Sequence, residues 1–163
     1  FVLLGDGECT EGSVWEAALF ASKNKLNNLI AIIDNNNIAA LDYLNNFTKL
    51  SPLKKKWQSF NWEVYEINGH DFKEIFSTFK KINSSKNSMP KIIIAKTTKG
   101  KGLSFMENDP IWHTKKLSNK DRILKGQSEE KICNFIIDLS QKTYKSRSEY
   151  DKYYSSLRKI HKL

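Results

Sequence analysis

The chain has 163 residues, 39% of them hydrophobic and 12% aromatic, which is enough for one core of ordinary size and not for two. Its net charge is +9, from 27 Lys and Arg against 18 Asp and Glu. The lysines are scattered, with no aromatic and basic stripe, so a nucleic-acid partner is not expected. No apolar stretch reaches the roughly 20 residues that cross a bilayer, and two cysteines, Cys9 and Cys133, form no disulfide framework; these totals favour a soluble, cytoplasmic protein.

FVLL at positions 1 to 4 reads as the inside of a strand, with no starting methionine or lead-in element, so the fold is expected to be incomplete at its N-terminus. Similar short apolar runs recur as LIAIID (29 to 34), WEVYEI (62 to 67) and KIIIAKT (91 to 97), the pattern of parallel strands buried on both faces. Between the first two, Ser13 and Glu16 fit a capping box, and Val14, Ala17, Ala18, Ala21 and Leu26 supply a helical apolar stripe. Strand, helix and strand at this spacing predict a βαβ unit. FKEIFSTFKKI (72 to 82) predicts a second helix with Phe72, Ile75, Phe76, Phe79 and Ile82 packed on the core. Ser88-Met89-Pro90 ends it and launches the fourth strand, and TTKGKGLSFMENDP follows as a polar, Gly-containing loop. From Ser118 onward the pattern is helical, with ICNFIIDL (132 to 139) as its apolar part. The expected organisation is an α/β domain over 1 to 117, a parallel sheet with helices on both faces, followed by a helical tail over 118 to 163.

GDGE, directly after the first strand, holds a carboxylate between two glycines at the carboxyl end of the sheet, where open α/β folds bind ligands. Gly5 and Gly7 allow a tight turn and leave amides for an anion. An anion and the Asp6 carboxylate repel unless a cation lies between them, and Mg2+ takes one or two protein oxygens together with phosphate oxygens and water. The second strand ends in IIDNNNIAA, where Asn35, Asn36 and Asn37 can offer an amide oxygen to the same crevice. Either half alone is as well explained by an ordinary turn; both halves after buried strands favour a site. Cys9 beside it reads as a packing residue, since magnesium prefers oxygen. Lys54-Lys55-Lys56 reads as a solvated face.

Gly5-Asp6-Gly7 followed at a distance by Asn35-Asn36 resembles the thiamine diphosphate fingerprint. The wider stretch GDGECTEGSVWEAALFASKNKLNNLIAIIDNNNI, with INGHDF (67 to 72) and KTTKGKGLSFMENDPIWH (96 to 113), resembles the transketolase family over roughly residues 1 to 115. The resemblance implies that Asp6, the Asn36 side-chain oxygen and the Ile38 carbonyl hold Mg2+. It further implies that the Gly7 amide meets the diphosphate of thiamine diphosphate and that His113 faces the diphosphate and the substrate channel. Glu11 and Glu16 match positions at a subunit interface near the cofactor, a role compatible with helix capping by Glu16. The implied chemistry is transfer of a two-carbon ketol unit from a ketose, as a sugar phosphate, to an aldose.

His70, in Gly69-His70-Asp71, is expected to order the turn before a helix, and Lys96, Lys99 and Lys101 to belong to a flexible basic loop. The sequence departs from the family at Asn37, where glycine is usual and asparagine tolerates positive φ. It departs also at AALDYLNN after Ile38 and at Thr114, where relatives carry glycine. The domain that holds the pyrimidine of the cofactor does not fit in 163 residues. The chain is therefore expected to be a fragment or the N-terminal subunit of a split transketolase, the polar tail favouring the latter, with a C-terminal subunit or domain as partner in a dimer or heterotetramer. Two readings stand beside it: another thiamine-dependent enzyme such as deoxyxylulose phosphate synthase, and a degenerate, non-catalytic binding module.

Overall fold

A computed structural model describes residues 1–40 and 42–116, and Phe1–Lys115 forms one compact unit. The expected helices beyond Ser118 lie outside the described residues. Four parallel strands, β1 (Val2–Gly5), β2 (Ile30–Asn35), β5 (Glu63–Asn68) and β6 (Lys91–Lys96), form one sheet in the order β1-β2-β6-β5. Each predicted apolar run supplies one of them. A two-residue pair, β3 (Ile38–Ala39) with β4 (Asp42–Tyr43), makes a small antiparallel hairpin after β2.

Alternation along the strands sends apolar side chains to two cores. On one face Ala31, Ile33, Ile92 and Ile94 meet Ala18 and Ala21 of α1 (Gly12–Lys23); α2 (Leu44–Phe47) adds Leu44, and α3 (Leu53–Ser59) adds Leu53 and Trp57. On the other, Ile30, Ile67, Ile93 and Ala95 meet Ile82 of α4 (Phe72–Ser84), with Ile75 and Phe79 packed against them. Helices on both faces follow from the connections. The steps from β1 to β2 and onward to β5 run one way across the sheet; the step from β5 back to β6 runs the other way, and a right-handed crossover then requires the opposite face. Trp57 anchors the first core, its ring 5.1 Å from that of Trp15 and 4.9 Å from that of Trp62. The Trp62 Nε1–H donates to the Ala18 carbonyl at 3.0 Å, tying α1 to the start of β5.

Four expectations need correction. The capping box at Ser13 and Glu16 does not form: α1 already begins at Gly12, its N-cap is Glu11, and no side chain caps it. α4 stops at Ser84, short of Ser88-Met89-Pro90, because the Ser85 hydroxyl turns to Glu63 and accepts the Asn87 N–H. Phe72 and Phe76 do not enter the core; they are 81% and 65% exposed, and of the predicted stripe only Ile75, Phe79 and Ile82 carry the helix's packing on the sheet. The stretch after Ile38, read only as a loop of altered shape, contains the hairpin, α2 and α3.

Candidate functional site

The turn after β1 sets Asp6 at the carboxyl end of the sheet, where its N–H donates to the Asp34 carbonyl of β2 at 3.2 Å. Its side chain is 1% exposed. Oδ2 accepts the Asn37 N–H at 2.5 Å, whereas Oδ1 has no hydrogen-bond partner. Among the described residues the only other buried side-chain polar atom without one is Trp57 Nε1, which lies among aromatic rings. Burial, with the nearby Asp34 charge adding to it, pushes the Asp6 carboxyl above its ordinary value against the pull of backbone N–H groups from Asn37, Gly7 and Asn36. A buried carboxylate with a vacant oxygen is destabilised until a donor or cation reaches it.

β2 brings the second half of the site. Asn36 stands between two neighbours that fix its amide: Nδ2 donates to Asp34 Oδ2 at 3.0 Å, and Oδ1 accepts the Ile38 N–H at 2.9 Å. A carboxylate can only accept and a backbone N–H can only donate, so the amide has one satisfactory orientation. Its oxygen keeps a second lone pair for a cation. Asn37 adopts φ 62, the left-handed turn expected of asparagine in place of glycine. The hairpin then presses on the acidic turn: a Cβ at Gly7 would lie 2.7 Å from Ala39 Cβ, so glycine there answers a close approach. Asp6, Asn36 and the Ile38 segment are thus joined through direct bonds or adjacent backbone.

The amides of the turn are less available than the sequence reading expected. The Gly5 N–H donates to Glu8 Oε2 at 2.6 Å and the Asp6 N–H to the Asp34 carbonyl at 3.2 Å. Cys9 is buried, and its thiol is pushed up to about 12 by burial and by the Asp6 and Glu8 charges. Glu11 and Glu16 are both exposed on the first turns of α1. Lys54 pairs with Glu66 at 3.2 Å on the surface, as a solvated lysine run implies.

His113 ends a 3-10 turn, Pro110–His113, capped by the Asp109 side chain. It is exposed, and its Nδ1 lies 3.4 Å from Lys99 Nζ. The segment from β6 to His113 is folded on itself. The Asn108 N–H donates to the Lys99 carbonyl at 2.9 Å, the Trp112 Nε1–H to the Phe105 carbonyl at 3.1 Å, and Leu103 is buried. This makes it a built loop, not the loose basic one expected. Thr114 has φ −122, a conformation that needs no glycine.

Asp34 and Tyr43 were not singled out from the sequence, and His70 was expected only to order its own turn. Asp34 orients Asn36 and also accepts the Thr97 hydroxyl; Tyr43 donates its hydroxyl to the Asn108 carbonyl at 2.8 Å; His70 Nε2 accepts the Thr98 N–H at 2.8 Å. Only Asp34, a carboxylate at a buried strand end, left a signal that sequence could have used. The chemistry of the donor set suits a hard cation: one buried carboxylate with an unpartnered oxygen, one amide oxygen and a backbone carbonyl. No three His, Cys, Asp or Glu side chains converge among the described residues.

Comparison with known proteins shows the family. The thiamine diphosphate-binding domain of transketolase matches residues 1–133. The A subunit of apulose-4-phosphate transketolase from Actinobacillus succinogenes is 45% identical over 115 residues, covering 71% of this chain and 41% of that protein. Human transketolase is 39% identical over 117 residues, covering 72% of this chain and 18% of that one. A crystal structure of transketolase from Campylobacter jejuni superposes with a TM-score of 0.60 at 37% identity, over 64% of this chain and 16% of the other. The chain spans less than half the length of these relatives. It belongs to the transketolase family, in its thiamine diphosphate-binding domain.

Proposed function

We propose that this chain supplies the diphosphate-anchoring half of a thiamine diphosphate-dependent transketolase, moving a two-carbon ketol unit from a ketose phosphate to an aldose. The observation that carries the proposal is Asp6, buried with Oδ1 unpartnered and joined through Asn37 to the strand end that bears Asn36 and Ile38. Asp6 Oδ1, Asn36 Oδ1 and the Ile38 carbonyl would hold Mg2+, with the Gly7 amide toward the diphosphate. Bound thiamine diphosphate supplies the carbon nucleophile and electron sink that ketol transfer requires. The residues of this chain bind and orient: rigid anchoring at the diphosphate end places the reacting end, so binding energy there serves positioning. His113, with Lys99 beside it, would meet anionic groups at the mouth of the site.

A companion chain or domain would supply the pyrimidine-binding site, with Glu11 and Glu16 on the surface that meets it, in a dimer or heterotetramer. Three of the relatives are single subunits of transketolases, which supports a split arrangement, and the transketolase names of the relatives support ketol transfer over deoxyxylulose phosphate synthesis. The test is titration calorimetry of the assembled protein with thiamine diphosphate and Mg2+. Asp6→Ala should abolish magnesium-dependent binding, and an unchanged affinity removes Asp6 from the site.

A further inference from the structure

The loop that ends in His113 leaves β6 at Thr97 and Thr98, and both residues are held by side chains from other strand ends. Thr97 donates its hydroxyl to Asp34 Oδ1 of β2, and its N–H reaches the Asn35 carbonyl at 3.3 Å. Thr98 donates its N–H to His70 Nε2 at 2.8 Å, across 28 residues of sequence. The turn carrying His70 is itself fixed. The Gly69 N–H donates to the Lys96 carbonyl at 2.8 Å, the His70 N–H to Asn68 Oδ1 at 3.0 Å, and Asp71 caps α4 through Lys73 and Glu74. Gly69 brings this turn against the loop, for a Cβ there would lie 2.4 Å from Thr97 Cγ2. A backbone N–H can only donate, so the His70 Nε2 lone pair must face it and the ring proton must sit on Nδ1.

We infer that His70 is a positioning residue: its Nε2 sets where the Thr97–His113 loop leaves the sheet, and so where Lys99 and His113 stand over the carboxyl ends of the strands. Thr98 begins the turn that places Lys99, because the Lys101 N–H returns to the Thr98 carbonyl at 3.2 Å. From Lys99 the chain closes on Asn108 and on His113. Releasing Thr98 therefore frees the loop at its hinge while leaving its internal bonds intact. Its consequence for turnover rests on the function proposed above; the hinge itself does not.

The experiment compares His70→Phe, which keeps ring shape and removes the acceptor, with His70→Gln, whose Oε1 stands as many bonds from Cβ as Nε2 does. In the full chain, His70→Phe should speed hydrogen exchange of the Thr98 amide by roughly five- to tenfold, the factor expected for losing one ordinary hydrogen bond, and His70→Gln should restore it. Imidazole nitrogen NMR of the unsubstituted protein should show Nδ1 protonated and Nε2 bare. With the companion chain present, His70→Phe should lower kcat while magnesium-dependent cofactor affinity changes less than about twofold, a split that general unfolding would not produce. Equal Thr98 exchange in all three proteins, or a protonated Nε2, overturns the inference. Failure of the unsubstituted protein to bind thiamine diphosphate overturns the proposed function instead, and the exchange and NMR results then decide the hinge alone.

Discussion

Asp6→Asn separates a ligand carboxylate from a structural one, because the two roles predict opposite signs of stability change. In the metal-free protein Asp6 is 1% exposed and Oδ1 has no partner. Its carboxyl is held above the ordinary value near 3.8, so burial and the Asp34 charge outweigh the N–H groups that favour the anion. Folding thus favours the protonated form: the contribution of Asp6 to metal-free stability is greatest below the ordinary value and is lost as pH rises through the raised one. Asparagine keeps the shape and an oxygen for the Asn37 N–H, and removes the charge. Removing the buried charge relieves about 1–3 kcal/mol of desolvation, although the amide NH2 takes the place of the unpartnered Oδ1, and weakening the charge-assisted bond to Asn37 takes back about 0.5–1 kcal/mol. The net expectation is a gain of about 0–2.5 kcal/mol, up to roughly 8 °C in Tm for a chain of this size. Thermal unfolding of the full chain in EDTA at neutral pH reads it. Thiamine diphosphate with Mg2+ at about 100 times Kd should then raise the unsubstituted protein by about 2.7 kcal/mol and leave Asp6→Asn unmoved. A lower Tm for Asp6→Asn in EDTA would refute the reasoning, since the carboxylate would then be a structural brace for Asn37.

His113→Ala should lower turnover more than cofactor affinity, and normal steady-state kinetics in the assembled protein would return His113 to an ordinary exposed histidine. Gly7→Ala forces a Cβ to within 2.7 Å of Ala39 Cβ, so it should cost about 1–3 kcal/mol by overpacking and weaken magnesium-dependent binding by displacing the Ile38 hairpin; denaturant unfolding and calorimetry check the two effects separately. Cys9, buried and with its thiol pushed up to about 12, should resist iodoacetamide at pH 8 in the native protein and react after denaturation, as peptide mass spectrometry would show.

The strands were legible because a parallel sheet buried on both faces leaves continuous apolar runs, and four such runs became four strands. α1 and α4 were legible by period, but their details were not. Ser13 and Glu16 matched the capping pattern at a helix that starts two residues too early to use it, because the preceding 3-10 turn, Gly7–Thr10, already directs the chain. Phe72 and Phe76 matched a core stripe, yet period says which side chains share a face and nothing about whether a neighbour covers it. At the site, Asp6 and Asn36 were readable as residue types after strand ends. The side chains that hold the loop were not. His70 reaches Thr98 over 28 residues and Tyr43 reaches Asn108 over 65, and such pairs exist only once strand order is set.

Those long-range bonds explain why the departures from the family pattern are tolerated. Three segments converge at the carboxyl ends: the Asp6 turn, the Ile38 hairpin and the His113 loop. Gly7 packs on Ala39 of the hairpin, Tyr43 of the hairpin holds Asn108 of the loop, and Asp34 and His70 hold the loop at Thr97 and Thr98. Asn37 and Ala40 both sit at positive φ, 62 and 51; asparagine bears this easily, whereas alanine there costs about 1–2 kcal/mol. A hairpin of two residues a strand cannot meet that cost from its own pairing. It keeps its shape because the acidic turn lies on one side and the loop on the other, each supplying contacts that the hairpin lacks. A cation shared by Asp6, Asn36 and the Ile38 carbonyl would draw on the same three-way bracing. The contacts that hold Asn37 and Ala40 at positive φ therefore also brace Asp6, Asn36 and Ile38, and the hairpin keeps a shape that it could not hold in isolation.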